Sequence, residues 1–260
     1  MDWNLEILEK SLAGKFFGHK FYYYPSTGST NEDAFRLGIA GAPEGTVVIA
    51  DSQTKGRGRL QRSWHSPSDS NIYTTVILRP QMDPARAPQI SILAGVAVAE
   101  VLESYCPGKV KLKWPNDVIV NKKKVCGILS QAKADVNKID FVILGIGINV
   151  NINQFPDEIS NIATSLKIET GREINRLELI ISLYENLTKW YKQLFQDGFD
   201  RIKEKWLSLS LMIGNPVEVM FQEEVVSGEA IGLDEDGSLI LLAGDREIKV
   251  SAGDATIVKR

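Results

Sequence analysis

The chain predicts an α+β fold: a mixed, mostly antiparallel sheet with flanking helices, followed by a small C-terminal β-barrel. Three features predict it. Two long segments, beginning at Pro88 and Arg176, carry apolar residues at helical spacing. Residues 110–150 break into short β-rich runs separated by polar turns, the pattern of an antiparallel meander. After Gly214 every run is β-like, which places a boundary near 212–214 and divides the 260 residues into a main unit, 1–212, and a small one, 213–260.

Taken in order, residues 2–13 predict a short amphipathic helix with Trp3, Ile7 and Leu8 on one side, and 16–24 an aromatic strand. Ser29-Thr30-Asn31-Glu32 fits a capping box, with Ser29 as N-cap, opening a helix that ends near 38–41. A strand over 46–51 leads into a basic loop, and 72–78 is the next strand. Three prolines make 80–88 a loop. Pro88 then starts a helix that stops before Pro107. Strands follow at 110–114, 117–120, 125–131 and 139–150, then helices at 176–195 and 198–208. The last unit reads as strands at 217–221, 225–233, 238–243, 247–251 and 256–258, with Asp236-Gly237 and Gly244-Asp245 as turns.

Composition narrows the function. Hydrophobic content of 43% and charged content of 24% are ordinary for a globular protein with a full core. A net charge of −3 argues against broad nucleic-acid binding, which needs a basic face. No apolar run reaches the roughly 18–20 residues that span a bilayer, and the first residues lack a signal-peptide pattern. Cys106 and Cys126 have no metal-ligand spacing and read as reduced thiols in a cytoplasmic protein. Two histidines exclude a His-rich metal site.

The chemistry concentrates in residues 53–64, Gln-Thr-Lys-Gly-Arg-Gly-Arg-Leu-Gln-Arg-Ser-Trp. Lys55, Arg57, Arg59 and Arg62 sit among Gly56 and Gly58, with no acidic residue between Asp51 and Asp69. Glycine lets the main chain approach a ligand, and guanidinium groups bind phosphate or carboxylate through two parallel bonds. Taken alone, such a loop equally describes a solvated turn. Four further clusters accompany it. Ser29-Thr30-Asn31 is either a helix cap or a set of hydroxyls and amides facing a polar group. Lys113-Trp114-Pro115-Asn116-Asp117 is either a turn or a rigid corner whose carboxylate carries Mg²⁺ through water. Lys124 begins a strand, beside Gly127. Gly145-Ile146-Gly147-Ile148-Asn149 places glycines inside an apolar strand, which implies close packing or close ligand approach; the Asn149 amide could read a purine edge.

In this order and spacing the clusters resemble the biotin protein ligases (biotin–[acetyl-CoA-carboxylase] ligases), from about residue 20 to the end. The resemblance implies a catalytic domain related to class II aminoacyl-tRNA synthetases and a Src-homology-3-like C-terminal barrel. Members that also repress transcription carry an N-terminal winged helix, for which residue 29 leaves no room, so the expectation is the monofunctional type. Departures are Gln61, where a third loop glycine is usual, and Cys126, where Gly or Ala is common.

The implied reaction joins biotin to ATP as biotinyl-5′-AMP, with Mg²⁺, and then passes biotin to a lysine of a biotin carboxyl carrier protein of acetyl-CoA carboxylase or a related carboxylase. Neither nucleic acid nor membrane takes part. Members of the family occur as monomers and dimers, and an exposed apolar strand edge around 139–150 is compatible with either a monomer or a homodimer. By resemblance Lys124, Arg59 and Asp117 are catalytic, with Asp117 also the candidate metal carboxylate. Ser29, Thr30, Asn31, Gln53, Gly56, Arg57, Arg59, Lys124 and Gly127 belong to the biotin site. Arg57, Arg59, Arg62, Trp64, Asn116, Lys124 and Asn149 belong to the nucleotide site. The alternatives are a lipoate–protein ligase and a non-catalytic biotin-binding or regulatory protein.

Overall fold

Seven strands build the main sheet: β1 (Phe21–Tyr24), β2 (Val47–Ala50), β3 (Ile72–Leu78), β4 (Val110–Lys113), β5 (Asp117–Val120), β6 (Lys123–Ala134) and β7 (Ile139–Ile148). Their order is β1-β2-β3-β7-β6-β5-β4, antiparallel throughout except for the β1–β2 pair. The computed structural model describes residues 3–221 and 224–258; the outermost residues of both expected units, and 222–223, lie outside it. The 139–150 segment, expected to offer an open edge, is instead central. β7 pairs with β3 along one side and β6 along the other, and β1 and β4 form the sheet edges. A strand so apolar is what a position buried on both sides selects.

The two faces differ. One is covered by α3 (Pro88–Glu103) and α6 (Arg176–Asp197), which pack on each other and bury Val118, Ile128, Leu144, Ile146 and Ile148 of the sheet. α3 is apolar nearly all round because it lies between sheet and helix. The segment Pro84–Glu103 does hold an 18-residue stretch with a mean hydropathy of 1.3, contrary to the sequence expectation, but 67% of that stretch is buried inside the fold, as in a core helix. The other face carries α2 (Thr30–Ile39), whose Ala34 packs with Val48, Ile77, Phe141 and Ile143. β7 side chains alternate between faces. On the α2 side they therefore run Phe141, Ile143, Gly145, Gly147: two large residues fill the space under α2, and two glycines then clear it.

The remaining helices are α1 (Leu5–Leu12), α4 (Asp157–Ser160), α5 (Leu166–Thr170) and α7 (Asp200–Leu209). In α1 the buried residues are Leu8 and Leu12, one turn apart, while Ile7 is 48% exposed rather than on the packed face. Beyond it, β8 (Pro216–Phe221), β9 (Glu224–Leu233), β10 (Leu239–Ala243), β11 (Arg246–Val250) and β12 (Asp254–Ile257) form a five-stranded antiparallel sheet ordered β11-β10-β9-β8-β12. Its 234–238 turn docks on the main unit. Gln89 donates to the Glu235 carbonyl at 2.5 Å, and the buried Trp114 indole donates to the Gly237 carbonyl at 3.1 Å. Val219, Leu233, Leu239 and Leu241 join the same apolar cluster as α3 and α6, so the core runs continuously across residue 213.

Candidate active site

The N-terminus of α2 points at the glycine-cleared part of the sheet. Ser29, Thr30 and Asn31 are all buried there. The expected capping box is not formed. Ser29 is extended at φ −160° and its side chain caps nothing, while Glu32 pairs with Arg57 instead. The Thr30 amide, one of the orphan donors of the helix's first turn, goes to Gln53: Oε1 accepts from Thr30 N at 2.9 Å and from its hydroxyl at 3.1 Å. The Gln53 amide donates onward to Ser66 Oγ at 3.1 Å. Asn31 donates to the Leu129 carbonyl at 3.3 Å and to Gln131 Oε1 at 3.2 Å, and Thr75 lies within hydrogen-bond distance of Thr30 and Asn31. Thr75 and Gln131 were not singled out in the sequence. For Thr75 the available signal is a polar residue inside an otherwise apolar strand; Gln131 lies at the exposed polar end of β6 and carries no such signal.

The basic loop folds over this region and each arginine is held. Arg57 pairs with Glu32 of α2. Arg59 donates to the Gly253 carbonyl at 3.1 Å and lies 3.5 Å from Asn116 Oδ1. Arg62 pairs with Asp254 of β12 at 2.5 Å. Burial lowers the pKa of Arg59, and the nearby carboxylates of Asp254 and Asp117 oppose that shift. At Gly56 a Cβ would stand 2.6 Å from both Ser66 Oγ and the Trp64 carbonyl, so this glycine is demanded by the loop's own closure. The tip turns through Leu60 at φ 51° and Gln61 at φ 59°. That explains the glycine usual at the Gln61 position in the resembled family: side chains in the left-handed region cost about 1 kcal/mol or more. Gln61→Gly is expected to raise unfolding stability by about 0.5 kcal/mol, strain relief exceeding the added chain entropy, and Gln61→Val to lower it. Denaturant melts of the two variants check this; a glycine variant less stable than the parent refutes it.

Lys124 owes its direction to an irregularity. β5 and β6 pair Val118 with Cys126 but Ile119 with Lys124, so Val125 is an extra residue in the strand. In a regular strand Lys124, three residues before Gly127, would face the opposite side. The bulge re-aims it. Lys124 Nζ thus lies 2.6 Å from Asp117 Oδ1 and 5.4 Å from the Trp64 ring centroid. Asn116 is fixed by donating to the Ile128 carbonyl at 2.5 Å, next to the cis Trp114–Pro115 bond.

The glycines of β6 and β7 are matched to Trp64. Gly127 and Gly147 are direct partners across the two strands. A Cβ on Gly127 would lie 2.9 Å from the indole, and one on Gly147 2.6 Å from its Nε1. A Cβ on Gly145 would overlap Asn31 Oδ1. Close packing by the protein's own side chains therefore accounts for these glycines, and it sets Trp64 beside Lys124. Asn149 is buried and donates to the Thr164 carbonyl at 3.0 Å, supporting the segment that follows β7. The structure thus gathers Thr30, Asn31, Gln53, Trp64, Gly127 and Lys124 on one sheet face, with Arg59, Asn116 and Asp117 along its rim; Arg57 and Arg62 stand outside at 57% and 70% side-chain exposure.

A cradle of amides and hydroxyls, a lysine beside it and a loop of arginines over it, all on one face of a mixed sheet, are the arrangement expected of a ligase of the resembled class. Residues 23–149 match the Biotin/lipoate A/B protein ligase family, and residues 212–257 the Biotin protein ligase C terminal domain. The bifunctional ligase/repressor BirA of Bacillus subtilis is 38% identical over 94% of this chain and 75% of its own length. The biotin–[acetyl-CoA-carboxylase] ligase of Paracoccus denitrificans is 33% identical over 83% of this chain and 91% of its own. Among solved structures, the biotin protein ligase of Aquifex aeolicus in complex with biotin and ATP superposes with a TM-score of 0.79 at 30% identity, covering 93% of this chain and 99% of that one. The chain belongs to the biotin protein ligase family.

Proposed function

We propose that the protein activates biotin with ATP and transfers it to one lysine of a biotin carboxyl carrier protein. The observation that carries this reading is the placement of Lys124 at the end of the Thr30–Gln53 cradle, under the arginine loop. The cradle supplies donors and acceptors that match a ureido ring. In the first step a biotin carboxylate oxygen attacks the α-phosphorus of ATP and pyrophosphate leaves. Both reactants are anionic, so the protein's work is positioning and charge neutralisation. Lys124 leaves Asp117 for the carboxylate and the developing charge on the α-phosphate. Arg59 exchanges the Gly253 carbonyl for phosphate oxygens, and Arg57 and Arg62 exchange Glu32 and Asp254. In the second step the carrier lysine attacks the anhydride carbonyl and AMP leaves; Asp117, freed from Lys124, is placed to receive the amine's proton.

Among the described residues no group of three or more acidic, His or Cys side chains converges. The donor set fits a Mg²⁺ held mainly by phosphate oxygens and water with Asp117 as its single carboxylate; such an ion would neutralise the departing pyrophosphate. Two free, buried cysteines support a reducing, cytoplasmic setting.

The test is ATP-dependent incorporation of labelled biotin into a carrier domain, with lipoate as control. Labelling by biotin alone is expected. Labelling by lipoate alone would move the protein to the other branch of the ligase family, and binding of biotin without transfer would make it a non-catalytic binder.

A further inference from the structure

We infer that Asp51 and Arg176 are positioning residues for this reaction, acting through the base of the arginine loop. The inference rests on the biotin ligase reading above. Asp51 follows β2, two residues before Gln53, and is buried with only 8% of its surface exposed. One carboxylate oxygen accepts from Arg176 Nη1 at 2.7 Å; the other accepts from the Asp69 backbone amide at 2.9 Å. Residues 51 and 69 are where the chain enters and leaves the basic loop. A single side chain therefore pins both ends together. Asp69 itself sits at φ 59°, the left-handed conformation that aspartate accepts in turns.

Arg176 extends the clamp. It also donates to the Asn71 carbonyl at 3.2 Å, and its guanidinium lies 5.0 Å from the Trp3 ring centroid. Asn71 in turn accepts from Val150 N at 2.8 Å and donates to the Tyr73 hydroxyl at 3.0 Å, which donates to the Pro67 carbonyl at 3.0 Å. The exit of the loop and the end of β7 are thus referred to one buried ion pair. Its location is not one that stability alone would choose. Arg176 is the first residue of α6, where the helix dipole disfavours positive charge, and a buried ion pair is weak evidence for stability. What the pair does fix is the height of Gln53 against Thr30, and with it the amide that faces the cradle.

The test compares the wild-type protein with the double variant Asp51→Leu/Arg176→Met, which removes both charges together and so strands neither. Biotin-dependent pyrophosphate exchange and the thermal midpoint are measured on both. The expected result is a KM for biotin raised about tenfold, with kcat changed less than about threefold and a midpoint close to that of the wild type. A KM within about twofold of wild type overturns the inference, whether or not the midpoint falls. Should the double variant fail to fold, Asp51→Asn/Arg176→Gln, which keeps volume and hydrogen-bonding groups, is judged by the same KM criterion. Absence of exchange in the wild-type protein would instead refute the biotin ligase reading itself.

Discussion

Lys124→Ala should slow biotinyl-adenylate formation by about a thousandfold, the scale seen when a preorganised charge at a developing anion is removed. The fold should hardly change. The Lys124 side chain is 32% exposed, and its loss leaves Asp117, 20% exposed, without its lysine partner at a cost of about 1 kcal/mol in a partly solvated setting. Lys124→Arg should recover little, because the bulge at Val125 directs a single ammonium past the face of Trp64, and a planar fork is longer and differently hydrated. Pyrophosphate exchange measured with biotin in excess separates the chemical step from binding. Exchange at the wild-type rate in the alanine variant would remove Lys124 from the mechanism.

Arg59→Ala is expected to lower kcat/KM for ATP by about a hundredfold, with a smaller rise in the KM for biotin. Of the three loop arginines it is the one drawn inward. It reaches Asn116 and the Gly253 carbonyl, whereas Arg57 and Arg62 make their ion pairs mostly in solvent. Exposed pairs are easily exchanged for phosphate and contribute little by themselves. Arg57→Ala should therefore act more weakly than Arg59→Ala. Steady-state titrations of ATP and biotin on the two variants rank them, and equal effects would argue that the loop acts as a diffuse cationic cloud rather than through a specific contact.

Much of this architecture was legible in the chain. The helices α3 and α6 follow from long apolar periodicity, and the basic loop from its composition. Lys124 stands out in the chain as a lysine that begins a strand beside Gly127, but its role, like that of Gln53, was legible only by resemblance. What escaped reading was non-local. Ser29 has the right residue type and spacing for a capping box, yet its side chain caps nothing, and Glu32, which would close the box, pairs instead with Arg57 from the basic loop. The edge expected at 139–150 vanished because strand order is set by pairing partners that no local pattern reveals. The aim of Lys124 depends on one extra residue in β6, visible only once its register against β5 is known. Thr75 comes to the cradle from β3, a polar side chain in a strand that otherwise reads as core, and Gln131 from the exposed polar end of β6, where nothing local sets it apart.

Gly127 and Gly147 share one neighbour, the Trp64 ring, from opposite sides of a strand pair. Their effects should therefore not add. Once a methyl at Gly127 has pushed the indole away, a methyl at Gly147, whose nearest neighbours are all indole atoms, meets little else, and the second substitution should cost far less than the first. In the history of such a sheet the two glycines and the tryptophan would behave as a single inherited character, gained or lost together, although they lie on three different segments of the chain.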